Sequence, residues 1–163
     1  MKHLTLVRHA KAEHGAAAQL DFDRALTGRG LRDAEAMAGR TLATIAAPTL
    51  IITSPAARAL ATARVFADAC NYAPERMVYD GRIYEAPASR LLEVLLAHGG
   101  RAAHVMMVGH NPGISEFAAR LTDEGALRDQ PTCAVMSLEA PVADWTALAW
   151  GSARLSHHDW PGR

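Results

Sequence analysis

The sequence predicts a three-layer α/β/α sandwich with a mostly parallel central sheet. Three observations predict it. Short apolar runs rich in branched residues alternate with longer segments whose apolar residues recur at helical spacing. The runs are continuously apolar, as is typical of strands that are buried on both faces. The length of 163 residues suits one ordinary domain, so we expect a single domain over residues 1–163 with helices on both faces of the sheet.

Four buried strands are predicted where apolar, branched residues are concentrated: Leu4–Val7, Thr49–Thr53, Met77–Tyr79 and Val105–Val108. The segments between them favour parallel strands joined by crossover connections. Two further β segments, Cys133–Leu138 and Trp145–Trp150, follow each other without an intervening helix. We expect them at the sheet edge, with at least one of them antiparallel.

Four helices are predicted around these strands. The first presents an apolar face at helical spacing: Leu31, Ala34, Ala38, Leu42 and Ile45. Thr27 is placed to cap it, and Ser54-Pro55 is expected to begin the second helix as N-cap and first helical residue. A leucine stripe over 91–96, ended by Gly99-Gly100, predicts the third helix, and Asn111-Pro112-Gly113 opens the fourth.

The composition excludes several classes of protein. Basic and acidic residues number 17 each and aromatic residues make up 6% of the chain, which disfavours nucleic-acid binding. No apolar run approaches the roughly 20 residues of a bilayer-spanning helix, and the first ten residues lack the apolar core of a secretory signal. We expect a cytoplasmic protein with no membrane partner. Cys70 and Cys133 are too few for a disulfide scaffold or a structural zinc site.

Chemically active side chains follow the predicted strands at the point where each strand ends. Arg8 and His9 follow the first strand, Arg58 lies one helical turn past the second, and His110 follows the fourth. Glu85 ends the weaker segment 82–84. Ligands of open α/β sheets bind beyond the carboxyl ends of the strands, so we expect these side chains to line one pocket.

The chemistry of these residues indicates a pocket that holds a phosphate and acts on it. Arginine offers a planar fork of N–H donors that matches phosphate oxygens. The positive charge of Arg8 disfavours the protonated form of His9, which keeps one imidazole nitrogen free to attack phosphorus. A second histidine, His110, can donate to a phosphate oxygen.

Three blocks of the sequence resemble the motifs of the histidine phosphatase (phosphoglycerate mutase-like) superfamily: Leu6-Val7-Arg8-His9-Ala10, Thr53-Ser54-Pro55-Ala56-Ala57-Arg58-Ala59 and Val108-Gly109-His110-Asn111-Pro112-Gly113. The segment from Arg24 to Gly30 is similar to the stretch before the first helix of that family. Ala10 departs from the glycine that usually follows the Arg-His pair. The chain length and the motifs together resemble the small, phosphohistidine phosphatase branch of the superfamily.

The resemblance implies the fold of that superfamily and a phosphatase whose nucleophile, His9, is transiently phosphorylated. Arg8, Arg58 and His110 would bind the phosphoryl oxygens. Glu85 occupies the position of a catalytic acid, and Arg24 that of a further substrate contact. The resemblance implies neither a metal nor a cofactor. The expected partner is a phosphorylated protein, for example a histidine phosphotransfer domain, or a small phosphorylated molecule.

Two other functions would use the same residues. One is a phosphatase of a small-molecule phosphate ester, and the other is a module that binds a phosphorylated ligand without turnover. Glu85 also has an ordinary structural explanation as a surface carboxylate that closes a turn. We expect His157-His158, near the carboxyl terminus, to lie in a frayed tail rather than in a metal site.

Overall fold

The structure, a computed structural model, describes all 163 residues and contains one six-stranded mixed sheet. Its strands are β1 (Lys2–Arg8), β2 (Leu50–Thr53), β3 (Val78–Tyr79), β4 (His104–Gly109), β5 (Val135–Ala140) and β6 (Arg154–Asp159). Their order in the sheet is β3-β2-β4-β1-β5-β6. Strands β1 to β4 run parallel, whereas β5 pairs antiparallel with both β1 and β6. The predicted sheet, mostly parallel with antiparallel pairing towards one edge, is confirmed.

Four helices form the outer layers: α1 (Gly28–Leu42), α2 (Ala57–Ala69), α3 (Ala88–His98) and α4 (Gly113–Thr122). Helices α1 and α2 pack on one face of the sheet, and α3 and α4 pack on the other. The predicted three-layer arrangement is therefore confirmed. None of these helices combines the length and the apolar character that crossing a membrane requires.

Strand β4 lies inside the sheet and is buried along its whole length. Val105 and Met107 belong to the core under α3 and α4, whereas Met106 and Val108 belong to the core under α1 and α2. Successive side chains of a strand point to opposite faces, so a strand covered on both faces needs apolar residues at every position. This explains the continuous apolar run in the sequence.

Helix α1 begins as predicted, although its buried face is rotated from the predicted one. The Thr27 hydroxyl accepts a hydrogen bond from the Gly30 amide at 2.8 Å, which is the expected cap. The buried residues of α1 are Gly30, Ala34, Met37, Ala38 and Thr41. Leu31 is exposed and Ile45 lies beyond the end of the helix. The small residues face the sheet because the first turn packs directly on backbone: a Cβ atom at Gly30 would lie 2.1 Å from the Lys11 carbonyl oxygen.

The predicted start of α2 was wrong by two residues. The helix begins at Ala57, and its N-cap residue Ala56 makes no side-chain capping bond. Ser54 and Pro55 instead continue the chain beyond β2. The Ser54 hydroxyl accepts from the Ala56 amide at 3.2 Å and lies against a histidine described below, so its bonds stabilise the loop rather than the helix end.

The prediction for the carboxyl-terminal region was also wrong in two respects. The segment predicted as strand Trp145–Trp150 contains a short 3-10 turn, Trp145–Ala147, which the Asp144 carboxylate caps by accepting from the Thr146 amide. Trp145 is buried there, and its indole N–H donates to the Ala102 carbonyl at 2.9 Å.

The last strand is β6, which contains His157 and His158. These residues are therefore in the sheet rather than in a frayed tail. The Asp159 carboxylate at the end of β6 accepts two hydrogen bonds from the Arg40 guanidinium of α1, which fastens this edge to the outer layer.

Candidate active site

The carboxyl ends of β1, β2 and β4 lie side by side, because Arg8 is in register with Gly109 and Thr53 with Val108. An open cleft of about 430 Å³ lies beyond them. Its lining is almost entirely polar: Arg8, His9, Lys11, Ala12, His14, Asp21, Arg24, Arg58, Glu85, His110, Asn111 and Thr132. The structure thus brings together all six residues that the sequence singled out.

His9 follows β1 directly and its imidazole is oriented by the backbone. The side chain is buried, and Nδ1 lies 2.8 Å from the carbonyl oxygen of Ala10. A carbonyl oxygen only accepts, so Nδ1 carries the proton and Nε2 keeps its lone pair. The backbone of Ala10 is itself held in place, because its amide donates to the Thr62 hydroxyl of α2 at 3.0 Å.

His110 follows β4 and carries its proton on the opposite ring nitrogen. Its Nε2 lies 2.8 Å from the hydroxyl of Ser54, which is fully buried. No other acceptor is within reach of that hydroxyl proton, so we assign Ser54 as donor and Nε2 as acceptor. The proton of the neutral imidazole is then on Nδ1. The centroids of the His9 and His110 rings are 5.3 Å apart.

Three N–H groups around the cleft are buried and have no hydrogen-bond partner in the protein. They are Nε of Arg8, Nε of Arg58 and Nδ1 of His110. The other ends of these side chains are fastened: Nη1 of Arg8 donates to the Gln130 carbonyl at 2.7 Å, and both Nη atoms of Arg58 are bonded to Asp21. A buried donor without a partner costs roughly 1–3 kcal/mol, so these groups are suited to an anion with several oxygens.

Both imidazoles are held in the neutral form. Burial lowers the pKa of His9 to about 4 and that of His110 to about 3, and the positive charges of Arg58 and Arg8 act in the same direction. The sequence had indicated Arg8 as the cause of the lowered pKa of His9. In the structure burial contributes most, and among the neighbouring charges Arg58 contributes more than Arg8. A neutral His9 has the lone pair that nucleophilic attack needs.

Glu85 and Arg24 lie at the rim rather than at the floor of the cleft. Glu85 is exposed, makes no hydrogen bond, and has a backbone φ of 55°, in the left-handed region. Arg24 is half-buried and already fastened: Nε donates to Asp21 at 2.8 Å and Nη1 donates to the Glu13 carbonyl at 2.6 Å. Both face the cleft, and only Glu85 is without a protein partner.

Sequence reasoning missed Asp21, Tyr84 and the role of Ser54. The Asp21 carboxylate accepts from Tyr84 Oη at 2.5 Å and from Arg58 Nη2 at 3.0 Å. Hydrogen bonds from Tyr84, Arg24 and Arg58 hold the pKa of Asp21 well below its ordinary range. The one signal in the sequence was the spacing of Asp21 and Arg24, which lie three residues apart and form an ion pair.

This chain is similar to a family model and to solved structures of other proteins. The family model for the histidine phosphatase superfamily (branch 1) matches residues 4–91, which is more than half of the chain. No curated protein matched.

Solved structures of similar proteins cover nearly the whole chain. A candidate phosphohistidine phosphatase SixA from Agrobacterium tumefaciens is 28% identical with a TM-score of 0.83, and 98% of each chain is covered. A second such protein, from Nakamurella multipartitia, is 27% identical with a TM-score of 0.81, covering 99% of this chain and 97% of the other. The protein histidine phosphatase SixA in complex with tungstate shares the fold, with 21% identity and a TM-score of 0.78 over 98% of this chain and 97% of the other.

The family match includes the Arg8-His9 pair and Arg58, and the structural matches extend over the segment that carries His110. The fold resembles that of the small SixA phosphatases along its full length. This chain belongs to the histidine phosphatase superfamily.

Proposed function

We propose that this protein is a metal-independent phosphatase that passes a phosphoryl group through Nε2 of His9 to water, and that its preferred substrate is phosphohistidine on a protein. The phosphatase domain would span residues 1–163. The observation that carries the proposal is the pairing of the lone pair on Nε2 of His9, which makes no protein hydrogen bond, with three buried N–H groups that have no protein partner.

The first step uses the lone pair of His9. Nε2 attacks phosphorus, the Nε2–P bond forms, and the bond to the leaving group breaks with its electron pair going to the leaving group. Arg8, Arg58 and His110 donate to the phosphoryl oxygens and stabilise the charge that spreads over them in the transition state. These donors are held by protein contacts at their far ends, so little reorganisation is needed at the moment of reaction.

The second step releases phosphate. Phosphorylated His9 keeps its proton on Nδ1, bonded to the Ala10 carbonyl, so the ring carries a positive charge. When water attacks phosphorus, an O–P bond forms and the Nε2–P bond breaks with its electron pair going to Nε2, so the ring departs as a neutral imidazole. The proton that water loses passes to an oxygen of the released phosphate. The contact with Ala10 therefore favours both steps: it exposes the lone pair in the first and maintains a good leaving group in the second.

The shape of the cleft supports a protein substrate. The cleft is open, and Ala12 is its one apolar lining residue. Small ligands obtain much of their affinity from apolar enclosure, which this cleft does not provide. A phosphorylated protein brings contact area of its own outside the cleft. A phosphorylated histidine also needs less acid catalysis, because its imidazole leaving group can be protonated beforehand.

Glu85 and Arg24 would act at the leaving-group side. Glu85 is exposed and free of protein contacts, so it is available to protonate an alkoxide leaving group. Nη2 of Arg24 makes no protein hydrogen bond and would contact the substrate beyond the phosphoryl group.

A substrate panel tests the proposal. The purified protein would be offered a phosphohistidine protein, phosphoserine and phosphotyrosine peptides, sugar phosphates and nucleotides, each with and without EDTA. We expect the highest kcat/KM for the phosphohistidine protein and no effect of EDTA. A tenfold preference for a sugar phosphate or nucleotide would favour the small-molecule phosphatase, and phosphate binding without release would favour the silent binding module. Inhibition by EDTA that zinc or magnesium reverses would contradict the metal-free mechanism.

A further inference from the structure

Through its carboxylate, Asp21 connects three side chains, those of Arg24, Arg58 and Tyr84. It lies in a short 3-10 turn, Asp21–Asp23, between β1 and α1. Its backbone carbonyl accepts from Arg58 Nη1 at 2.8 Å, and its Oδ2 accepts from Arg58 Nη2 at 3.0 Å. The same Oδ2 accepts from Tyr84 Oη at 2.5 Å, and Oδ1 accepts from Arg24 Nε at 2.8 Å. Asp21 thus accepts four hydrogen bonds from side chains.

We propose that Asp21 is a positioning residue for the phosphoryl-transfer step, which fixes the Arg58 guanidinium with its Nε–H edge presented to the phosphoryl group. The inference rests on the proposed function. An arginine side chain has several rotatable bonds, and its fork is useful to an oxyanion only in one orientation. Asp21 engages both Nη atoms, and Nε remains buried and without a protein partner.

The contact orients Arg58 without exhausting its donors. A guanidinium has five N–H bonds, and Asp21 receives two of them. The Nε–H and one proton on each Nη atom remain for the phosphoryl oxygens. The Arg58 side chain is 6% exposed, whereas that of Asp21 is 48% exposed, so the carboxylate stands on the solvent side of the guanidinium.

Tyr84 supports Asp21 by donating a hydrogen bond to its carboxylate. The carboxylate raises the pKa of Tyr84, which keeps the phenol protonated and donating. The tyrosine ring packs edge-on against the His110 ring with centroids 5.4 Å apart, and edge-on against Phe22 at 5.3 Å. Tyr84→Phe would keep these ring contacts and remove only the hydroxyl that Asp21 accepts.

The test compares Asp21→Asn with Asp23→Asn. Both changes remove one negative charge from the same 3-10 turn, and the Asp23 side chain makes no hydrogen bond or ion pair. We expect Asp21→Asn to lower kcat on para-nitrophenyl phosphate by roughly 10- to 100-fold, the scale for a misplaced catalytic group, with KM changed less than threefold. We expect kcat to fall about fivefold in Tyr84→Phe and less than twofold in Asp23→Asn.

Orthovanadate, a transition-state mimic for phosphoryl transfer, supplies a readout that loss of stability would not move. The inhibition constant for orthovanadate should rise in Asp21→Asn by the same factor as kcat/KM falls, whereas that for inorganic phosphate should not rise. In an Arg58→Ala background, Asp21→Asn should have no further effect, because the residue acts through Arg58. Unchanged or higher activity in Asp21→Asn, or full additivity with Arg58→Ala, would overturn the inference.

Failure of the proposed function is separable from failure of this inference. If the wild-type chain binds orthovanadate in calorimetry without any turnover, the phosphatase proposal fails. The inference is then decided by dissociation constants alone: at least tenfold weaker orthovanadate binding by Asp21→Asn than by Asp23→Asn supports it, and equal constants overturn it.

Discussion

The hydroxyl of Ser54 lies 2.8 Å from Nε2 of His110, and this contact decides which nitrogen of the second histidine faces the cleft with a proton. Ser54→Ala removes the donor and lets the ring exchange its proton between the two nitrogens. A neutral hydrogen bond contributes about 1 kcal/mol, so we expect kcat/KM to fall roughly fivefold. Steady-state kinetics measures this, with Ser89→Ala on the exposed face of α3 as control. Unchanged kinetics would mean that His110 is oriented without Ser54.

The second prediction concerns covalent phosphate on His9. His9→Ala should abolish turnover and keep the fold, because the side chain lies at a strand end rather than in the apolar core. Wild-type protein that is quenched in alkali after incubation with labelled substrate should retain base-stable phosphate that acid removes and that maps to His9. Acid-stable label at another residue would remove His9 from the nucleophilic role.

The third prediction concerns Arg8 and Arg58, the two arginines that we propose bind the phosphoryl group. Arg8→Ala and Arg58→Ala should each lower kcat by roughly two orders of magnitude or more, the scale for one lost donor to a developing charge. Arg58→Lys should remain poor, because an ammonium carries all its donors on one nitrogen and lacks the planar fork that contacts Asp21 through two nitrogens and leaves a third N–H for the phosphoryl group. Steady-state kinetics at saturating substrate checks this. Full activity in Arg58→Lys would show that the charge alone suffices.

The fourth prediction separates leaving groups. Glu85→Gln should cost less kcat on a phosphohistidine protein than on a phosphoserine peptide, because an imidazole can leave already protonated and an alkoxide cannot. The ratio of the two losses is the quantity to measure. Glu75→Gln, at an exposed position of the turn before β3, is a matched control. Equal losses on both substrates would contradict the role of Glu85 as an acid.

The fifth prediction concerns stability in acid. Burial lowers the pKa of His104 to about 4, below the ordinary value of 6.5, and its Nε2 lies 2.7 Å from the Thr5 hydroxyl. The unfolded chain therefore binds a proton that the folded chain does not bind between pH 6.5 and about 4. Stability contributed by the neutral imidazole is full above pH 6.5 and is lost as the pH falls through this window. Within its window, each group of this kind makes the free energy of unfolding change by about 1.4 kcal/mol per pH unit.

Urea denaturation between pH 7 and pH 4 measures this slope. We expect His104→Gln to reduce it, and His14→Gln, at an exposed site, to leave it unchanged. An identical slope in His104→Gln would assign the acid sensitivity to other groups.

The four residues at the floor of the cleft were predictable because each lies within a few residues of a buried strand. The position of Arg8, His9 and His110 follows from the strand that precedes them, and that of Arg58 from the first turn of the next helix. Once the strands of the sheet are identified from the apolar pattern of the sequence, that pattern alone determines where these four residues lie.

The contacts that orient these residues were not predictable in the same way. Asp21 lies in an irregular segment between β1 and α1, whose path depends on contacts with Arg58 and Tyr84 that are distant in sequence. The sequence Ser54-Pro55 is compatible with a helix start and with a loop. The structure contains the loop, because the Ser54 hydroxyl bonds to His110 there. Trp145 and Trp150 have strong β propensity, yet the Asp144 cap and the burial of Trp145 favour a 3-10 turn.

The position of β4 in the sheet has a consequence for how the protein folds. It lies between β1 and β2, although it follows both of them along the chain. Strands β1 and β2 therefore do not pair with each other. Each of them pairs with β4, which comes much later in the chain. Sheets built from such non-local pairings form slowly. Because β4 also brings His110 to the cleft, recovery of phosphatase activity during refolding should report the insertion of this one strand.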